Sequence, residues 1–123
     1  MSRILVVDDN ALNLQLACDA LELAGHEVLS AANGEEAIAL AASEHPDLIL
    51  MDLRMPVMNG DEAMRRIKAD ERTRRIPVVA LTASAMKGER EQLLAAGFDG
   101  YIEKPIGVAT FADLVASYLL DAG

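Results

Sequence analysis

One cysteine, no tryptophan, two tyrosines and two phenylalanines are spread over 123 residues. A single thiol, Cys18, rules out an internal disulfide framework and a cysteine-based zinc site. It falls in an apolar helical stretch and reads as core packing. With aromatics at 3% and hydrophobic residues at 52%, the core must be built from aliphatic side chains and alanine. Basic residues are also few. Eleven Lys and Arg face twenty Asp and Glu, a net charge of −9. That balance excludes non-specific binding to nucleic acid or to an anionic membrane, which needs a positive surface. There is no signal-peptide pattern and no apolar run of membrane-spanning length, so the expected address is the cytoplasm. No internal repeat, low-complexity tract or linker interrupts the chain, and its length suits one compact domain over residues 1–123.

What is present is a regular alternation of period. Ile4 to Val7 is a continuous apolar run, as expected of a strand buried on both faces, and it ends in Asp8-Asp9-Asn10. Asn10 can cap a helix from Ala11 to Ala24, with Leu12, Leu16, Ala20 and Leu23 at helical spacing and Gly25 as its stop. A strand over Glu27–Ala31 and a helix from Glu35 to about Ser43 follow, the helix stopped by Pro46. The third strand, Leu48–Met51, ends at Asp52; a loop through Asn59-Gly60 leads to a helix over about Asp61–Asp70. The fourth strand runs Pro77–Leu81 and ends at Thr82, before a helix over about Lys87–Ala96 closed by Gly97. The fifth strand, Gly100–Glu103, ends at Lys104-Pro105. The last helix runs from about Val108 to Leu120, with Phe111, Leu114, Val115, Tyr118 and Leu119 on one stripe. Five β–α units give an α/β fold with an open parallel sheet and helices on both faces; closing a barrel would take about eight.

Open α/β sheets bind ligands at the carboxyl ends of their strands. Those ends carry Asp8 and Asp9, Asp52, Thr82 and Lys104. Singly, each reads as a cap, a turn residue or a surface charge. Together they place three carboxylates, a hydroxyl and an ammonium on one edge. Gathered carboxylates repel unless a cation intervenes, and hard oxygen donors favour Mg²⁺ or Ca²⁺. Mg²⁺ often shares its shell with a phosphate oxygen, while a lysine and a threonine can stabilise a phosphoryl group in flight. A carboxylate can itself be the nucleophile.

The stretches VVDDN, DLILMDLRMPVMNG, VVALTA and GYIEKP resemble the receiver domain of bacterial response regulators nearly end to end. The resemblance implies a doubly wound, flavodoxin-like sheet in the order 2-1-3-4-5. It implies Asp52 as the phosphoacceptor, giving a 4-aspartylphosphate. Asp9 would be a direct Mg²⁺ ligand, Asp8 would act through water, and the carbonyl of Arg54 would complete the protein's share of the shell. Thr82 and Lys104 would contact the phosphoryl oxygens. Tyr101 matches the aromatic switch position coupled to Thr82, and Lys104-Pro105 matches a peptide often cis in the family. Arg54 and Ser84 sit where the family tunes phosphoryl lifetime. The segments DNALN and TASAMKGERE are similar to phosphorelay receivers, including stand-alone regulators of the DivK type.

The expectation is a two-component or phosphorelay signalling protein rather than a turnover enzyme. It would be charged by a histidine kinase or a histidine phosphotransfer protein. Its output would pass to a protein partner through the face of helix four, strand five and helix five, as a monomer or a weak phosphorylation-dependent dimer. Met1 leading straight into a strand and the short tail after Leu120 fit a stand-alone chain; a receiver cut from a hybrid histidine kinase is the alternative. A haloacid-dehalogenase phosphatase needs a second Asp two residues after the nucleophile, and Arg54 stands there, unable to take a proton. A flavodoxin-like carrier needs a glycine-rich phosphate loop where Asp8-Asp9-Asn10 lies. An inert receiver-like domain would not need the complete acid set with Lys104. His26 and His45 are expected at the surface, Arg72 to Arg75 in a solvated loop, and Met55 and Met58 packing the active-site loop.

Overall fold

The computed structural model describes residues 2–53, 55, 58–82, 87–103, 111, 113 and 115–119. Five short strands, β1 (Arg3–Val7), β2 (Glu27–Ala31), β3 (Leu48–Asp52), β4 (Val78–Thr82) and β5 (Gly100–Glu103), alternate with helices. The helices are α1 (Ala11–Leu23), α2 (Gly34–Glu44), α3 (Gly60–Ala69) and α4 (Lys87–Ala96). A fifth, α5, is represented by residues 111, 113 and 115–119. All strand pairs are parallel and the sheet order is β2-β1-β3-β4-β5. Among the described residues, no helix is long and apolar enough to cross a membrane.

Side chains alternate across a strand, and here each face of the sheet has its own core. Leu5, Val7, Ile49, Met51, Val78 and Ala80 point to the side covered by Ala37 and Ala41 of α2, Ala63, Met64 and Ile67 of α3, and Leu93 of α4. Ile4, Val6, Leu48, Leu50, Val79, Leu81 and Ile102 point to the other, under Ala17, Ala20 and Leu21 of α1 and Phe111 and Val115 of α5. Double-sided burial explains why β1, β3 and β4 are uninterrupted apolar runs.

The expected apolar stripe of α1 is out of phase. Leu12, Leu16 and Leu23 are 68%, 45% and 83% exposed, and of the four residues only Ala20 is buried. The packed stripe is Leu14, Ala17, Cys18 and Leu21, to which Ala20 adds. Both stripes satisfy helical spacing, and packing against the β1, β3 and α5 residues of this core selects the second; the Asn10 side chain caps the helix start, accepting from the Asn13 N–H at 3.0 Å. Cys18 is half-buried, and burial pushes its thiol up, with Glu22 and Asp19 adding to the effect, so it is a poor nucleophile at neutral pH.

Other boundaries move by a residue. α2 reaches Glu44 and ends on His45 in a left-handed conformation (φ 46°), one residue before Pro46. β4 begins at Val78, since Pro77 has no N–H for the ladder. At the amino edge, Lys68 Nζ donates to Asp99 Oδ2 at 2.8 Å and to the Ile76 carbonyl at 2.9 Å, tying α3 to the start of β4.

Candidate functional site

β1 and β3 are neighbours at the centre of the sheet, with Val7 opposite Met51. One step further along each strand stand Asp8 and Asp52. One carboxyl oxygen from each of Asp8, Asp9 and Asp52 lies within 4.8 Å of the other two. Asp8 and Asp52 are buried at 2% and 8% exposure, whereas Asp9 is open to solvent. The Asp8 backbone N–H donates to the Ala31 carbonyl at 3.1 Å, and Asp8 Oδ1 accepts from the Asn10 N–H at 2.9 Å. The acid pair is therefore turned by the same short loop that starts α1. An all-oxygen donor set of three carboxylates, two of them withdrawn from water, fits a hard divalent cation such as Mg²⁺.

Thr82 closes β4 and is buried at 7% exposure. Strand alternation puts it on the same face as Ala80, and Tyr101 of β5 is registered opposite Ala80 and packs on that face. Thr82 and Tyr101 thus lie on adjacent strands, on one side of the sheet, beside α4. The expected juxtaposition of the first, third and fourth strand ends is present. Lys104, the Arg54 carbonyl, the Lys104-Pro105 peptide and Ser84 lie outside the described residues, as does Leu114 of the α5 stripe. Met55 and Met58 are buried against the α2–α3 core as expected. His45 is exposed as expected, whereas His26 is half-buried.

Three residues that the motifs did not single out touch this site. Gly60 opens α3 and donates its N–H to the Leu53 carbonyl at 2.9 Å; a Cβ there would collide with the carbonyl oxygen of Asp52. Its sequence signal was a turn pair, Asn59-Gly60, which says nothing about what the glycine abuts. Tyr118 of α5 bonds the backbone of Tyr101 through its hydroxyl, at 3.2 Å to N and 3.0 Å to O. It was legible only as one member of an apolar stripe. Arg90 of α4 lies over the Tyr101 ring, 5.6 Å from its centroid, and no local pattern announces it.

Comparison with known proteins agrees with this geometry. The family model described as "Response regulator receiver domain" matches residues 4–116. The polar-differentiation response regulator DivK of Brucella ovis is 45% identical over 119 residues, which cover 97% of each chain. Among solved structures, the chemotaxis response regulator CheY4 of Vibrio cholerae superposes with a TM-score of 0.89 at 31% identity, covering 95% of this chain and 98% of that one. The receiver domain of sensor histidine kinase PA1611 from Pseudomonas aeruginosa PAO1, with a magnesium ion coordinated in its active-site cleft, gives 0.86 at 38% identity, covering 96% and 97%.

Proposed function

The chain belongs to the response regulator receiver domain family, and from that membership we propose that it is a phosphoacceptor switch in which Asp52 is the modified residue. The carrying observation is the gathering of Asp8, Asp9 and Asp52 within 4.8 Å at the carboxyl ends of the two central strands. A phosphohistidine on a histidine kinase or a histidine phosphotransfer protein is the donor. A carboxylate oxygen of Asp52 attacks phosphorus and forms the O–P bond of an acyl phosphate. The P–N bond breaks, its electron pair stays on the imidazole nitrogen, and that nitrogen takes up a proton. Asp8, Asp9, Asp52 and the carbonyl of Arg54 would hold Mg²⁺, whose charge offsets that of the carboxylates and the phosphoryl oxygens. Thr82 supplies a hydroxyl donor and Lys104 an ammonium to those oxygens.

Modification then shifts the population between two arrangements of β4, β5, α4 and α5, with Thr82 and Tyr101 as the link. Their common face beside α4 supports this route. The output leaves by protein contact on the α4–β5–α5 face, from a cytoplasmic monomer or weak phosphorylation-dependent dimer in which residues 1–123 act as one receiver unit. The 45% identity to DivK over 119 residues supports a regulator of that kind.

The test is labelling with acetyl phosphate or phosphoramidate in Mg²⁺, read by intact mass. The wild type gains one phosphoryl group and Asp52→Ala gains none. Undiminished labelling of Asp52→Ala would remove Asp52 from the mechanism.

A further inference from the structure

Tyr101 is held at two points by two helices. β5 is an edge strand, and in a parallel strand the N–H and C=O of one residue point to the same side. The Tyr118 hydroxyl of α5 meets both groups of Tyr101, accepting from N at 3.2 Å and donating to O at 3.0 Å. It can do so because residue 100 is glycine: a Cβ there would lie 2.5 Å from Cζ and 2.6 Å from Oη of Tyr118. The outward backbone of the switch residue is thereby fixed, and an unpaired edge is closed at mid-strand. What remains free to move at Tyr101 is the side chain. Its half-exposed ring lies beneath the guanidinium of Arg90, at 5.6 Å from the centroid.

We propose that Arg90 is a positioning residue which holds the Tyr101 ring in this half-exposed place and so sets the resting bias of the switch. The inference rests on the receiver reading above. A group that favours the unmodified arrangement must, by linkage, oppose binding of whatever favours the other. A cation–π contact at an exposed site is strong enough to move such an equilibrium about two- to five-fold. Arginine suits the task because it stays charged at every accessible pH and stacks on ring faces.

The experiment titrates the Mg²⁺-loaded protein with beryllofluoride, a mimic of the acyl phosphate, and follows the bound species by ¹⁹F NMR. Arg90→Ala is expected to bind about two- to five-fold more tightly than wild type, and Arg90→Lys to lie between them. In a Tyr101→Leu background, removing Arg90 is expected to change nothing, which separates the ring contact from any other contact of Arg90. Affinity of Arg90→Ala equal to or weaker than wild type overturns the proposal. So does an equal gain in the Tyr101→Leu background. If wild type itself binds no beryllofluoride, the receiver reading falls first and this proposal falls with it.

Discussion

At position 60 the chain has no room for a side chain. A Cβ would overlap the carbonyl oxygen of Asp52 and lie 3.0 Å from both the Asp52 carbonyl carbon and Leu53 Cα. The neighbours on that side are backbone, which cannot rotate away as a side-chain tip can. Gly60→Ala must therefore push α3 off the end of β3, at an overpacking cost of about 1–3 kcal/mol. The displaced backbone is that of the proposed phosphoacceptor, so two quantities fall together. The melting temperature drops by about 4–12 °C for a domain of this size, and phosphoramidate labels Asp52 more slowly. A variant that melts and labels like wild type would show that the close approach is not maintained in solution. The sequence made the gathering of Asp8, Asp9 and Asp52 legible, because the three acids stand at the ends of apolar runs that a parallel sheet aligns. It could not name Gly60, Tyr118 or Arg90, because their parts are contacts across elements. A turn glycine, a stripe tyrosine and a surface arginine look alike wherever they land.

Among the helices whose starts are described, α2 has the most complete one. The Asn33 side chain accepts from the Glu36 N–H at 2.9 Å and donates to Glu36 Oε2 at 3.0 Å, and the same carboxylate accepts from the Ala32 N–H at 3.2 Å. Glu35 and Glu36 also place negative charge in the first turn, where the helix dipole favours it. Asn33→Ala removes the reciprocal cap and is expected to cost about 1 kcal/mol in urea unfolding with the m-value unchanged. No loss of stability would mean that water serves the helix start equally well. Capping signals of this kind are local, which is why the Asn10 cap of α1 was readable in advance. β1, β3 and β4 were readable for a different reason: strands buried on both faces are continuous apolar runs with polar residues at their ends. The phase of α1 was not readable. Two stripes of the same helix satisfy the period, and the choice is made by what β1, β3 and α5 present to it. The exposed set, Leu12, Leu16 and Leu23, is the apolar surplus that misled the pattern.

Over the whole molecule, the charge is −9, and two buried carboxylates and an exposed one sit at the ends of its two central strands. Two effects of added Mg²⁺ must then be separated. Any salt screens the general repulsion of an acidic protein, and that effect follows ionic strength. An ion held by Asp8, Asp9 and Asp52 stabilises the folded state alone, because the unfolded chain does not bring β1 and β3 together. At about ten times its dissociation constant such an ion contributes about 1.4 kcal/mol, or about 3–6 °C in melting temperature. Mg²⁺ is therefore expected to raise the melting temperature above that in NaCl of the same ionic strength. Asp9→Asn, which alters the exposed acid and leaves the buried pair in place, is expected to lose most of the difference while responding to NaCl as wild type does. Its melting temperature without Mg²⁺ should be equal or higher, since one of three mutually repelling charges is gone. Equal effects of Mg²⁺ and NaCl on wild type would mean that the three carboxylates hold no ion. A full Mg²⁺ increment in Asp9→Asn would place the ion elsewhere on the acidic surface, and with it the charge that the proposed chemistry at Asp52 requires.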